Sequence, residues 1–123
     1  MNFDDYQTEA VRTMSRDKSP EMTKAVLALG LAGEAGEVVE LLKKHLGHGH
    51  PLVRAQLEKE LGDVLWYVAA LAHEHNINLG VVAHANIMKL RARYPQGFSQ
   101  ERSLNREPEC GECCPRDCPR CGE

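Results

Sequence analysis

Residues 30–40 read GLAGEAGEVVE, and residues 60–67 read ELGDVLWY. The first stretch carries Glu34 and Glu37, and the second carries Glu60 and Asp63. Both pairs are spaced i, i+3, which on a helix places two carboxylates on one face, about 60° apart around the axis. Around the first stretch, Leu27, Leu31, Val38, Leu41 and Leu42 form an apolar stripe of helical period. Glu34 falls at the centre of that stripe and Glu37 at its edge, with Glu40 further round toward solvent. Around the second stretch, Leu57, Leu61, Val64, Leu65, Val68, Leu71 and Ala72 line one face, and Glu60 and Asp63 border it. Two helices joined by a short connection are expected to be antiparallel neighbours, so the two acid pairs can face each other. Four carboxylates leaning toward a core need a counter-charge or a proton. A hard divalent cation such as Mg²⁺ meets that need with carboxylate oxygens.

The rest of the chain fits an all-α reading. Asn2 or Asp4 caps a first helix that fades across Ser15–Pro20. A second helix begins at Glu21 and stops in the HLGHGHP run before Leu52, read as a loop. A third runs from about Leu52 to His75, and a fourth from Leu79 to about Tyr94, with Val82, Ala83, Ile87 and Leu90 inward. No stretch alternates with period two for long enough to suggest a strand. The expectation is a four-helix bundle over residues 1–106, with a Cys-rich tail over 107–123.

Composition limits the function classes. At 42% hydrophobic and 27% charged, the chain reads as globular. With only 5% aromatics, its core must be built from Leu, Val and Ala. A net charge of -3 lacks the basic bias of nucleic-acid binders, so only the tail is considered for such contacts. No apolar run approaches the ~20 residues of a membrane helix, and the acidic start MNFDDYQTEA shows no signal core. A cytoplasmic location is therefore expected. All five cysteines lie between Cys110 and Cys121. Cys110, Cys113, Cys118 and Cys121 have the paired C-x-x-C spacing of a zinc knuckle, although the stretch between the pairs is short. A thiol-rich tail without metal is the alternative.

On helix four, Asn86, Lys89 and Arg93 fall at i, i+3, i+7 and form a stripe that suits an anionic polyphosphate or is simply a solvated basic face. Lys43 and Lys44 are weaker candidates that also complement a helix C-terminus. Tyr67 shares a face with Glu60. Trp66 points elsewhere, toward a helix or subunit interface. His45, His48 and His50 form a cluster read as a zinc site or a mobile lid.

Taken in order, G-L-A-G-E-A-G-E-V-V-E-L and E-L-G-D-V-L-W-Y resemble the MazG-type all-α nucleoside triphosphate pyrophosphohydrolases, a likeness that extends to Tyr6-Gln7 and to Asn86–Pro95. The resemblance spans roughly residues 2–106. The family often carries a further Glu where this chain has Gly33. The resemblance implies hydrolysis of an NTP or dNTP to monophosphate and pyrophosphate, dependent on Mg²⁺ with Mn²⁺ as a substitute. It implies Glu34, Glu37, Glu60 and Asp63 as metal ligands, with Glu34 or Glu37 serving the attacking water. With a nucleotide implied, Tyr67 is a candidate to stack on its base or to hydrogen-bond, and Phe3, Tyr6 and Gln7 are candidate walls of a nucleoside pocket, with a core role open for Phe3 and Tyr6. The resemblance also implies a homodimer or homotetramer. A dCTP- or dUTP-selective enzyme, and a non-catalytic helical binding module with a zinc-binding tail, are the competing readings.

Overall fold

The computed structural model describes residues 1–105; the tail cysteines, and with them the zinc expectation, lie outside the described residues. The fold is all-α, with five helices among the described residues: α1 (Phe3–Val11), α2 (Pro20–His48), α3 (Arg54–Glu74), α4 (Leu79–Arg93) and α5 (Gln100–Leu104). They fall in two compact units, residues 1–86 and 87 onward.

Local chemistry explains the helix ends. Asn2 accepts hydrogen bonds from the backbone N–H groups of Asp4 and Asp5, and the Asp5 carboxylate accepts one from Asn2 in return, closing a capping box. Ser19 caps α2 by accepting from the Met22 N–H, with Pro20 at the first helical position where its missing N–H costs nothing. α2 ends at Gly49, which adopts φ 70°, a left-handed conformation that favours glycine. The expected histidine loop is thereby corrected. Gly47 is tolerated inside the helix, α2 runs on through His48, and the His45 ring hydrogen-bonds the His50 carbonyl at 2.8 Å. His45 and His48 thus stand on a helix end, and the three histidines do not form a metal-ligating group among the described residues.

In the first unit, α3 is the central element, packed against both α2 and α1. Gly30 on α2 meets Tyr67 on α3, while Glu34 meets Glu60 and Asp63. Rising numbers on α2 thus match falling numbers on α3, so the pair is antiparallel. The buried core is built from Ala10, Ala69 and Leu79, with Tyr6, Trp66 and Val68 packed against it. Ala69 and Ala70 are fully buried, and Ala69 packs with Ala10 of α1 in the core. The Trp66 indole donates to the Ala10 carbonyl at 3.1 Å and to the Thr13 hydroxyl at 2.8 Å, tying the end of α1 to α3.

Gln7 is buried and fully engaged. Its amide donates to the carbonyls of Ala69 at 3.1 Å and Ile77 at 3.0 Å, and its Oε1 accepts from the Leu79 N–H at 3.0 Å. One side chain therefore holds α1, α3 and the start of α4 together. Asp4 adds a bond from the Gly80 N–H at 2.9 Å, and a Cβ at Gly80 would press on that carboxylate. Asn76, at φ 56°, makes the sharp turn between α3 and α4.

Two sequence expectations change here. The four-helix bundle becomes five helices, because Ser99 caps a short α5 beyond the Pro95–Gly97 break by accepting from the Arg102 N–H. Val82, Ile87 and Leu90, expected inward on α4, are exposed. In the second unit the Tyr94 and Phe98 rings lie 5.5 Å apart, and the Arg102 guanidinium reaches the Arg93 carbonyl at 3.5 Å. No helix among the described residues is long and apolar enough to cross a membrane.

Candidate active site

The site is set by a close approach of α2 and α3. The Tyr67 ring lies against Gly30, where even a methyl group would overlap it. This contact fixes the register of the two helices. One turn along α2 from Gly30 stands Glu34, and one turn back along α3 from Tyr67 stands Asp63, with Glu60 a further turn away. Glu34, Glu60 and Asp63 each bring a carboxylate oxygen to within 4.8 Å of the others, and all three are half-buried. Three of the four acids singled out from sequence are thus brought together. Glu37 is exposed, one turn beyond Glu34, and is not part of that group.

The surrounding charges are unequal. Lys59 Nζ lies 3.1 Å from Glu60 Oε1 and 3.0 Å from Asp63 Oδ2. Its hydrogen bonds to Asp63 and then Glu60 push its pKa up to about 12. From α1, Tyr6 is the other neighbour of the group. Burial, reinforced by the negative charge of Asp63, pushes its hydroxyl above the usual tyrosine value. Glu40 stands apart from the acid group: Lys43 at 2.6 Å and Lys44 at 3.4 Å pair with it. The Lys43 hydrogen bond holds the Glu40 carboxyl below its usual range. Lys43 and Lys44 are thereby accounted for by Glu40.

Beside the Tyr67 contact, the α1–α2 connection opens a cleft of about 260 Å³. Val26, Leu27, Trp66 and Tyr67 contribute its apolar and aromatic wall, and Thr13 and Lys18 its polar rim. Trp66 and Tyr67 pack edge to face, centroids 4.9 Å apart and planes at 83°, which stiffens that wall. Tyr67 therefore borders the cleft, while the acids begin one turn away on both helices. The cleft is large enough for a base, and the acid group lies at its side.

The other candidates divide. Gln7, expected at a nucleoside wall, is instead the buried clamp of the helix junction, its polar atoms taken up by backbone groups. Asn86 and Lys89 are exposed on α4, and Arg93 on the same helix is half-buried. Lys59 and the cleft along residues 13–27 were not singled out from sequence. Lys59 had a readable signal, since it stands one residue before Glu60 and four before Asp63. The cleft had none, because its walls come from segments some 40 residues apart in the chain.

The donor set fits a divalent cation of the Mg²⁺ or Mn²⁺ type. Three carboxylates offer only hard oxygen atoms, and their mutual repulsion is relieved by a double positive charge. Glu34, Glu60 and Asp63 are the residues that could hold it.

Comparison with known proteins points the same way. The family model described as "MazG nucleotide pyrophosphohydrolase domain" matches residues 22–98. The "Gene 37 protein" of Mycobacterium phage L5 is 39% identical over 84 residues, covering 65% of this chain and 74% of that protein. "dCTP pyrophosphatase 1" of Rattus norvegicus is 38% identical over 80 residues, covering 60% of this chain and 47% of the rat protein. The Homo sapiens protein of the same name is 36% identical over 83 residues, covering 63% of this chain and 49% of that protein. The chain thus spans about half the length of these two pyrophosphatases. No solved structure matches the chain at a significant level.

Proposed function

Because the chain belongs to the MazG nucleotide pyrophosphohydrolase family, we propose that it hydrolyses deoxynucleoside triphosphates to monophosphate and pyrophosphate, with dCTP the foremost substrate to test. The observation that carries the reading is the convergence of Glu34, Glu60 and Asp63 from two helices. These three would hold the divalent cation, which would supply positive charge to offset the negative charge of the triphosphate. Glu37, exposed one turn beyond Glu34, accepts a hydrogen bond from the attacking water and takes its proton as the water adds to the α-phosphorus and the bond from that phosphorus to the bridging oxygen breaks, releasing pyrophosphate. Tyr67 and Trp66 wall the base, and the cleft draws it out of water. Asn86, Lys89 and Arg93 keep their proposed role as polyphosphate contacts, on the strength of their spacing. The preference for dCTP draws on the similarity to the mammalian dCTP pyrophosphatases alone.

The test is a panel of NTPs and dNTPs incubated with the protein and Mg²⁺, with pyrophosphate and monophosphate both measured. Release of the two in equal amounts, fastest from dCTP, is the expected result. No pyrophosphate from any triphosphate would overturn the activity, and equal rates across all bases would overturn the preference alone.

The working form is proposed to be a homo-oligomer, a dimer at least. On one side of α2, Val39 is 64% and Leu46 80% exposed, apolar surface that a second copy of the chain would cover. Light scattering is expected to give a mass of at least two chains, and a single-chain mass at micromolar concentration would count against it.

A further inference from the structure

Lys59 is the one cation within hydrogen-bond distance of the acid group among the described residues, and it bridges two of the three acids at once. Its side chain is 67% exposed, and the carboxylates of Glu60 and Asp63 are its ion-pair partners among the described residues. The acids it bridges are the two that α3 gives to the group, Glu60 and Asp63. A lysine is a compact point charge on a flexible four-carbon stem, able to leave one anion for another without disturbing its helix.

We propose that Lys59 is an exchangeable counter-ion: it occupies the carboxylates of Glu60 and Asp63 in the free protein, gives way to the divalent cation, and then binds the substrate's phosphates. This rests on the metal-site reading above. In the free protein, three close carboxylates repel one another, and the ammonium offsets part of that charge. A divalent cation on the same oxygens repels the ammonium, so the lysine must leave. Anchored one residue from Glu60, it remains within reach of any anion that arrives with the cation. A triphosphate is such an anion, and it presents oxygens suited to an ammonium donor. The lysine therefore weakens cation binding before substrate arrives and strengthens substrate binding afterwards.

These opposite effects separate the proposal from a merely structural role. The test uses the full chain and its Lys59→Met variant, titrated with Mn²⁺ alone and followed by electron paramagnetic resonance. Removing one exposed competing charge should tighten Mn²⁺ binding roughly two- to five-fold. In steady-state assays at saturating Mg²⁺, the same variant should show a raised KM for triphosphate. Lys59→Arg, which keeps the charge, should stay near the wild type in both. Unchanged or weaker Mn²⁺ binding by Lys59→Met would overturn the proposal, and so would an unchanged KM. A wild-type chain that binds no Mn²⁺ would overturn the metal-site reading itself and this inference with it. That outcome is distinguishable, because it is seen before any variant is compared.

Discussion

Replacing Glu60 with Gln and Asp63 with Asn together should lower triphosphate turnover at least about a hundredfold, equivalent to about 2.7 kcal/mol of lost transition-state stabilisation. Both substitutions keep the side-chain shape and remove the charge. Of the three oxygens gathered within 4.8 Å, only that of Glu34 would still belong to a carboxylate. The double variant should fold as well as the wild type, because it also removes repulsion from a half-buried cluster. Circular dichroism melting should therefore show no loss of stability, while Mn²⁺ binding falls below detection. Glu37→Gln supplies the contrast. Exposed and outside the group, Glu37 is assigned to the water, so its variant should lose turnover and still bind Mn²⁺. Wild-type pyrophosphate release by the Glu60→Gln, Asp63→Asn variant would remove the assignment of the site to these acids.

The second large effect is expected far from any chemistry. Gln7→Leu should destabilise the chain by about 2–4 kcal/mol and lower its melting temperature by roughly 10 °C. Leucine nearly matches the volume of glutamine but offers no polar atom. The Leu79 N–H and the carbonyls of Ala69 and Ile77 would each lose a partner beside the core. An unsatisfied buried backbone group costs more than the net worth of the bond it lost. Gln7→Glu should be no better, since a carboxylate cannot donate to either carbonyl. Thermal denaturation of the purified variants decides the matter. A melting temperature within about 2 °C of the wild type would mean that Gln7 is not the clamp its hydrogen bonds describe.

How much of this was readable beforehand follows from which interactions are local. The helix type, the caps at Asn2 and the antiparallel pairing of α2 with α3 came from periodicity and short connections, which residues near in sequence determine. Glu34 was placed inward by its stripe, and the structure makes it half-buried beside Glu60 and Asp63. Glu37, one turn on, was placed at the edge and is exposed, because 100° steps over a 29-residue helix leave an edge position undecided until a neighbour covers it. α4 misled for a related reason. Val82, Ile87 and Leu90 recur as a core-facing stripe would, yet a stripe does not say what it packs against. Gln7 was assigned by likeness to a family motif, and its three partners, some 60 to 70 residues away, could not be inferred from its neighbours.

The clamp at Gln7 also bears on where this domain begins. The family model matches from residue 22, after the whole of α1. Yet Ala10 belongs to the buried core, Trp66 is hydrogen-bonded to the end of α1, and the first turn of α4 hangs on Gln7 and Asp4. A fragment trimmed to the region of similarity would keep every acid of the site and lose the strut that holds α3 to α4. The packing that holds the acid-bearing helix in place therefore reaches outside the segment that evolutionary kinship delineates, to side chains of α1.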